Sequence, residues 1–401
     1  MSLRLAGVIL AAGVLAGCSE KLTSPGDCPA LCPSDNLVIQ DVVLEAQLDS
    51  TFTGFVRTGD GTRLLLANGL EGRQLISVVR FARRADSIQV LDTLRAFEVD
   101  SVLLSVNLEG RDPNVTGLAV EVFKLPASVA LDETTTYAEV EAALLPERLI
   151  RSVPVPNDLT SGSLRIALSG SSLDLIEFTP EDDQVLRLAY RLTAPAPTGV
   201  LLASSGAGTG GPTFITYTRV ELPDTTARQP LPRLVLFQAS LEAAPAGPPD
   251  PDFLTVGGSP SSRAMLRFVL PAQLRDSGQI IRATLQLVPV APVSGMAGDS
   301  ASLDIRGVFS DLGAKSPRIS SSDALIIRER LVAGSADTVF AEVTPVVGLW
   351  TSSSPPPPAL FLAVEPEAST FTSARFGSSR SPAARPTLRI TYALPYPFEV
   401  Q

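Results

Sequence analysis

Apolar and polar residues alternate with a period of two in several short segments of this 401-residue chain. A period of two places successive side chains on opposite faces of a half-buried strand. Clusters of Pro, Gly and Ser, such as 194–199 and 352–358, separate these segments. The pattern predicts an all-β chain built from antiparallel β-sandwiches. The alternating apolar positions are Val102, Leu104, Val106 and Leu108; Leu186, Leu188, Tyr190 and Leu192; Ile281, Ala283, Leu285 and Leu287; and Leu388, Ile390 and Tyr392.

The two halves of the chain carry similar landmarks in the same order. An early strand pair, an alternating strand (102–108 or 281–287), a Thr-Phe pair and a final strand after proline occur in each half. This order favours an internal duplication over convergence between two unrelated β-sandwiches. We therefore predict two tandem sandwiches over residues 37–240 and 241–395, joined where prolines cluster near residues 240–250. With 45% hydrophobic residues the chain can form real cores, which excludes wholesale disorder.

One segment departs from the strand pattern. Thr136 and Glu139 have the spacing of a capping box, in which each side chain bonds the backbone of the other residue. The spacing predicts a short helix over residues 137–145, ended by Pro146.

The N-terminus has a positive residue, Arg4, followed by an apolar run from Leu5 to Gly17. This run is too short to span a bilayer, which favours a cleaved signal over a transmembrane helix. The run ends in Leu-Ala-Gly-Cys at Cys18, which resembles the lipobox of bacterial lipoproteins. The alternative is an ordinary secretory signal in which Cys18 is incidental.

The lipobox resemblance implies cleavage before Cys18 and acylation of that residue. Residues 1–17 would then be the signal peptide, and residues 18–36 the lipidated cysteine with a flexible tether. Two or more acyl chains attach a protein stably to a membrane. In the family's sorting rule, Ser19 in place of Asp favours the outer membrane. We therefore expect an exported protein whose membrane partner is reached through its acyl chains.

Two further cysteines, Cys28 and Cys32, lie in the tether. An exported chain meets an oxidising compartment, which favours a small disulfide loop between them over free thiols. A metal site there would need further soft ligands, and apart from Cys18 the sequence has no other cysteine and no histidine to supply them.

Composition excludes several classes of function. The formal net charge of −10 argues against a nucleic-acid partner, because phosphate binding requires clustered basic residues. The absence of histidine excludes Ser-His-Asp and Cys-His nucleophile systems and His-ligated zinc or haem. Carboxylate-pair chemistry stays open, since 42 acidic residues remain.

Two acidic turns are candidate Ca²⁺ ligands, because this ion prefers oxygen donors from adjacent loops. Neither has EF-hand spacing, and solvated turns are the alternative. We expect no other cofactor. The candidate ligands are Glu181, Asp182 and Asp183 in the first turn, and Asp250 and Asp252 in the second.

Two other features have simple structural interpretations. The glycine-rich segment 204–212 lacks the Gly-Lys-Ser/Thr ending of a phosphate loop, so we interpret it as a loop between strands. Trp350, the only tryptophan, is interpreted as a core residue in preference to a platform for sugar stacking.

Residues 250–393 resemble the DNRLRE-type domain of exported bacterial proteins, which is related to carbohydrate-binding modules. The matching segments are 266–268, 280–287, 343–350 (Val-Thr-Pro-Val-Val-Gly-Leu-Trp), 376–380 and 385–392. Ser381 stands where that family has glutamate, and residues 41–240 match more loosely. The resemblance implies a jelly roll in each half and implies no particular ligand.

These observations favour a non-catalytic binding or structural module of the cell envelope, with polysaccharide or an envelope protein as partner. One alternative is a carbohydrate-active enzyme that uses two carboxylates, although aromatic residues are few for a sugar-processing groove. The other is an assembly or scaffolding subunit, which an exposed apolar patch or an unpaired edge strand would favour.

Overall fold

The computed structural model describes residues 38–176, 184–208, 210–243 and 250–394. The protein is about 50% strand and 13% helix, with curled antiparallel sheets. The predicted all-β, sandwich-like fold class is therefore confirmed.

The described residues between 63 and 242 contribute eleven strands to one large sheet. The strands are β3 (Arg63–Leu70), β4 (Arg73–Phe81), β7 (Glu98–Arg111), β8 (Ala119–Lys124), β9 (Leu149–Pro154), β10 (Gly162–Ser169), β11 (Arg187–Thr193), β12 (Thr198–Ala203), β13 (Thr213–Glu221), β14 (Thr226–Arg233) and β15 (Val235–Glu242). Their order is β14-β13-β7-β12-β3-β4-β11-β8-β9, with β10 added beside β7 and β15 beside β4. A separate hairpin consists of β5 (Ile88–Val90) and β6 (Thr93–Arg95).

The large sheet curls around a core formed by the predicted apolar faces. Val102, Leu104, Val106 and Leu108 of β7 are buried in the same cluster as Leu188 and Tyr190 of β11. Strand β7 buries alternate residues, as the period of two predicts, whereas β11 also buries Ala189 on its other face, in a separate apolar cluster. Burial raises the pKa of the Tyr190 hydroxyl, which keeps it neutral.

The second half of the chain contributes to two further sheets. The four-stranded sheet has the order β1 (Val38–Glu45), β24 (Thr387–Leu394), β18 (Gln279–Leu287) and β21 (Val339–Glu342). The seven-stranded sheet has the order β20 (Ile327–Val332), β19 (Ser300–Gly307), β22 (Ala359–Glu365), β17 (Ser262–Arg267), β16 (Phe253–Gly257) and β23 (Ser373–Gly377), with β2 (Leu48–Thr53) beside β17.

One core lies between these two sheets. It contains Leu388 and Ile390 of β24, Leu285 of β18 and Trp350. The Trp350 side chain is buried and its ring centroid lies 6.2 Å from that of Phe268, which confirms its interpretation as a core residue.

Ile281 departs from the predicted alternation and is 47% exposed. The register of β18 against β24 shifts between Ile280 and Arg282. Such a bulge adds one residue to a strand and exchanges its faces on one side of the bulge. Ile280 consequently packs against the core in place of Ile281.

The predicted boundary at residue 37 requires a correction. β1 pairs with β24 over its whole length, from Val38–Leu394 to Glu45–Thr387, and β2 pairs with β17. Residues 38–53 therefore belong to the sheets of the second half and not to a sandwich over residues 37–240. Alternation shows that a strand is half-buried, but it does not specify which distant strand lies beside it. The division into two domains stays a prediction.

The strands at matching landmarks have different neighbours. In the second half β18 pairs with the final strand, β24. In the first half β7 pairs with β10, β12 and β13, whereas the final strand, β15, pairs with β4. The strand pairing therefore gives no support to the predicted internal duplication.

Within the described residues, three short α-helices interrupt the strands: α1 (Tyr137–Ala143), α2 (Ala272–Ser277) and α3 (Thr344–Val347). Helix α1 begins with the predicted capping box between Thr136 and Glu139, and it buries Val140 and Ala143. The local sequence thus correctly predicted both the existence and the beginning of this helix.

The two halves of the chain meet through apolar side chains. Phe371 and Met296 from the second half pack with Leu65 and Leu201 of the large sheet. At Gly199 a Cβ atom would lie 2.8 Å from the Phe371 ring, so a glycine is required for this close approach.

Candidate binding face

Strands β10, β7, β13 and β14 lie side by side, and one face of this layer is open to solvent. Because alternate residues of each strand enter the core, the intervening residues point to this open face. From Asn107 to Ser101 it extends roughly 20 Å along the strand. We call this surface the first-half face; it comprises Ser101, Leu103, Ser105, Asn107, Ser163, Arg165, Ala167, Ser169, Thr213, Ile215, Tyr217, Pro230 and Pro232.

One end of the first-half face is polar. Ser105 lies opposite Arg165 on one neighbouring strand and opposite Thr213 on the other. The hydroxyl oxygens of Ser105 and Thr213 are 2.6 Å apart, and Nε of Arg165 donates to Oγ of Ser163 at 3.3 Å. These residues and Asn107 line an open cleft of ≈ 700 Å³.

An apolar strip lies beside the polar end. Leu103 is opposite Ala167 and Ile215, and Ile215 is opposite Pro232. In the next row Tyr217 lies beside Pro230 and is 37% exposed. The face therefore offers hydrogen-bonding groups and a flat apolar surface next to each other.

Gly210 and Gly211 of the glycine-rich segment border the cleft, and the segment lies between β12 and β13 in the chain, as the interpretation of a loop between strands requires. The backbone N–H of Asn107 donates to the carbonyl of Gly210 at 3.2 Å. A Cβ atom at Gly210, whose φ is +87°, would lie 2.5 Å from Nδ2 of Asn107. Glycine at this position thus allows the loop to approach the end of β7.

Carboxylates occur at the two ends of this face, and each is paired with arginine. Glu109 accepts a hydrogen bond from Arg63 at 2.7 Å, and Asp100 is bound by Arg228. Glu109 lies nine positions along the strand from Asp100, a distance of roughly 30 Å. Glycosidase carboxylates are roughly 5 to 9.5 Å apart, so these two cannot act as such a pair.

The four-stranded sheet also exposes one face, which we call the second-half face. It comprises the outward residues Asp41, Val43, Glu45, Arg282, Thr284, Gln286, Phe340, Glu342, Thr387, Arg389 and Thr391. Its charged side chains bind one another across the strands. Arg389 donates a hydrogen bond to Asp41 at 3.0 Å, and Arg282 donates one to Glu342 at 2.8 Å. A 2.5 Å hydrogen bond from Thr391, together with Arg389, lowers the pKa of Asp41.

A third group of charges lies beside the seven-stranded sheet and is largely buried. Arg263 binds both carboxylate oxygens of Glu367, and these side chains are only 8% and 9% exposed. Phe55 covers the Arg263 guanidinium with its ring centroid 4.4 Å away. Burial, followed by the neighbouring charge of Glu367, raises the pKa of Glu365. Because both oxygens of Glu367 are occupied, we interpret this carboxylate pair as structural.

The predicted site residues lie in different parts of the chain. Asp250 and Asp252 form an exposed turn in which the Asp250 carboxylate accepts the backbone N–H of Asp252 at 3.0 Å. Glu181, Asp182 and Asp183, and the cysteines Cys18, Cys28 and Cys32, lie outside the described residues. Among the residues that the structure describes, no group of three His, Cys, Asp or Glu side chains could hold a metal ion.

Sequence analysis did not identify Tyr217 or Arg165. Buried Phe214, Thr216 and Thr218 alternate with Tyr217, so a period of two over residues 214–220 could have placed Tyr217 on an outer face. The neighbours of Arg165 on that face come from β7 and β13, which no local pattern reveals.

No helix within the described ranges has the length and apolar character needed to cross a membrane.

Comparisons with known proteins identify no family for this chain. No family model matches it, and no curated protein shows significant similarity. A solved structure titled BspA_C_mut has 8% sequence identity and a TM-score of 0.15, with 83% of this chain and 90% of that chain covered. A TM-score this low carries no argument about fold or function.

Proposed function

We propose that this protein is a non-catalytic module of the bacterial cell envelope that binds polysaccharide through the first-half face. In this proposal it is exported and held at a membrane, the outer membrane by the Ser19 rule, through acyl chains on Cys18. The resemblance of residues 250–393 to DNRLRE-type jelly rolls is compatible with this role.

The single observation that carries the proposal is the composition of the first-half face. Polysaccharide chains present apolar C–H surfaces and many hydroxyl groups together. The strip around Leu103, with Tyr217 beside it, suits the C–H surfaces, while Ser105 and Asn107 suit the hydroxyl groups. An open, extended face suits a polymer better than an enclosing pocket, which suits a small molecule.

Two alternatives fit this face less well. A carboxylate-based enzyme would need two acids that are free to take part in catalysis, whereas Glu109, Asp100 and Glu98 are each paired with arginine. Strand addition by a scaffolding partner is disfavoured at the edge strand β14, because Pro230 and Pro232 lack backbone N–H donors.

The test is affinity electrophoresis of the full chain in non-ionic detergent, through native gels that contain neutral or acidic polysaccharides. We expect at least one polysaccharide to retard the protein. Tyr217→Ala should weaken this binding about tenfold or more, as truncation of a central aromatic contact does.

Phe340→Ala is the matched control, since Phe340 is a 60% exposed aromatic residue on the second-half face. It should leave retardation unchanged, and circular dichroism should show that both variants are folded. Unchanged mobility of the folded wild type in every gel would exclude polysaccharide binding. Equal losses for the two variants would exclude the first-half face as the site.

A further inference from the structure

We infer that the polysaccharide bound at the first-half face is acidic, and that Arg165 binds the carboxylate of a uronic acid unit. This inference rests on the proposed function and names its class of ligand.

The charges of the cleft carry the inference. Among its described lining residues, only Arg165 and Glu109 are ionisable. Glu109 is already neutralised by Arg63, with Nε of Arg63 2.7 Å from its carboxylate. Arg165 is exposed and has no carboxylate within ion-pair distance among the residues that the structure describes. The cleft therefore has one uncompensated positive charge, although the whole chain has a net charge of −10.

The hydroxyl groups around Arg165 can donate hydrogen bonds to a ligand. Oγ of Ser163 accepts from Arg165 Nε, which leaves the Ser163 hydroxyl hydrogen and the two terminal guanidinium nitrogens for a ligand. Ser105 and Thr213 share one hydrogen bond at 2.6 Å, so one of their two hydroxyl hydrogens also stays available. Hydroxyl groups that can donate beside an uncompensated cation suit an oxyanion better than a neutral hydroxyl group.

The guanidinium of Arg165 can bind an oxyanion through two N–H donors, and carboxylate and phosphate groups both accept this arrangement. Its planar array of N–H donors matches the two oxygens of a carboxylate in a bidentate arrangement. Leu103 and Ile215 lie one row away on the same face and provide an apolar surface for the sugar ring that bears this carboxylate. A uronic acid unit combines both features.

The experiment compares polymers of uronic acids with their methyl esters, in which the carboxylates no longer carry a negative charge. Polygalacturonate and its fully methyl-esterified form, and hyaluronan and its methyl ester, are titrated into the full chain in non-ionic detergent by isothermal calorimetry. A sulfated galactan is titrated in the same way, to test whether the site prefers a tetrahedral sulfate group to a planar carboxylate. We expect the free acids to bind about tenfold or more tightly than their esters, and Arg165→Gln to abolish this difference.

Arg219→Gln is the matched control, because Arg219 lies on β13 and is paired with Glu98 at 2.8 Å. It should keep the preference for free acids, and Tyr217→Ala should weaken binding of acids and esters alike. Equal affinity for acids and esters, preference for the sulfated galactan, or an unchanged preference in Arg165→Gln would overturn the inference and leave the proposed function intact. Failure of every polysaccharide to bind would overturn both.

Discussion

The first-half face and the second-half face are both outer faces of antiparallel layers, but they differ in whether their charged side chains bind one another. On the second-half face Asp41 and Glu342 bind Arg389 and Arg282 across the strands. On the first-half face Arg165 lies opposite a serine, and its only described hydrogen bond is with another serine. An exposed polar residue is available to a ligand only when its neighbours leave its hydrogen-bonding groups unoccupied.

The same difference separates roles in structure from roles in binding. Arg263 and Glu367, also in the second half of the chain, form an ion pair as well, and this pair is buried and shielded from water. We therefore expect charges of the second half to affect mainly stability, and charges of the first-half face to affect mainly binding. The following predictions test this contrast.

The largest effect is expected from Glu367→Ala. This change leaves the buried guanidinium of Arg263 without its carboxylate, which should lower the free energy of unfolding by about 3–5 kcal/mol. Urea unfolding followed by circular dichroism measures it. Glu342→Ala, at an exposed pair, should cost only about 0.2–1 kcal/mol. Equal losses in the two variants would show that burial does not determine the importance of these pairs.

A smaller effect on the free energy of unfolding should distinguish Arg282 on the second-half face from Arg165 on the first-half face. Arg282→Gln removes an exposed ion pair with Glu342 and should lower the free energy of unfolding by about 0.2–1 kcal/mol, less at high salt. Arg165→Gln removes no ion pair within the described chain and should change it by less than about 0.5 kcal/mol at any salt concentration. Urea midpoints in low and high salt test both values. A salt-dependent loss in Arg165→Gln would reveal an ionic partner for Arg165 and contradict its availability.

The smallest expected effect is the acid sensitivity of Asp41, an exposed residue whose pKa is lowered by Thr391 and Arg389. A carboxylate with a lowered pKa in the folded state contributes stability above its unfolded pKa, about 3.9, and loses it as the pH falls through the folded value. The stability difference between wild type and Asp41→Asn should therefore shrink as the pH falls below about 4. Thermal unfolding at several pH values measures it. Thr391→Val should reduce this dependence, and a difference that grew in acid would mean that the pKa of Asp41 is raised.

Local patterns in the sequence predicted a large part of the fold. Alternation identified the residues of β7, β11 and β24 that face the two largest cores, because strand geometry itself separates the two faces. The capping box between Thr136 and Glu139 identified the beginning of α1, because both of its bonds lie within four residues. Ile281 was placed wrongly, since a bulge depends on the paired strand as well as on the bulged one.

The candidate site could be predicted only in part. Sequence analysis identified the loop 204–212 but not the strands beside it. Arg165, Ser105 and Thr213 are distant in the sequence and become neighbours through two strand pairings. The acidic turn at Asp250 and Asp252 was noted from composition, yet its geometry is that of a turn closed by its own hydrogen bond.

The sequence by itself determined the all-β class, the faces of most strands and the short helix, because backbone geometry and burial act over a few residues. Only the tertiary structure decided that residues 38–53 join the sheets of the second half, and which polar groups lie side by side on each exposed face. The physical reason is that strand pairing joins distant segments through backbone hydrogen bonds, which are nearly the same for every amino acid. Whether Arg165 meets a serine or a carboxylate is therefore set by the register of these pairings.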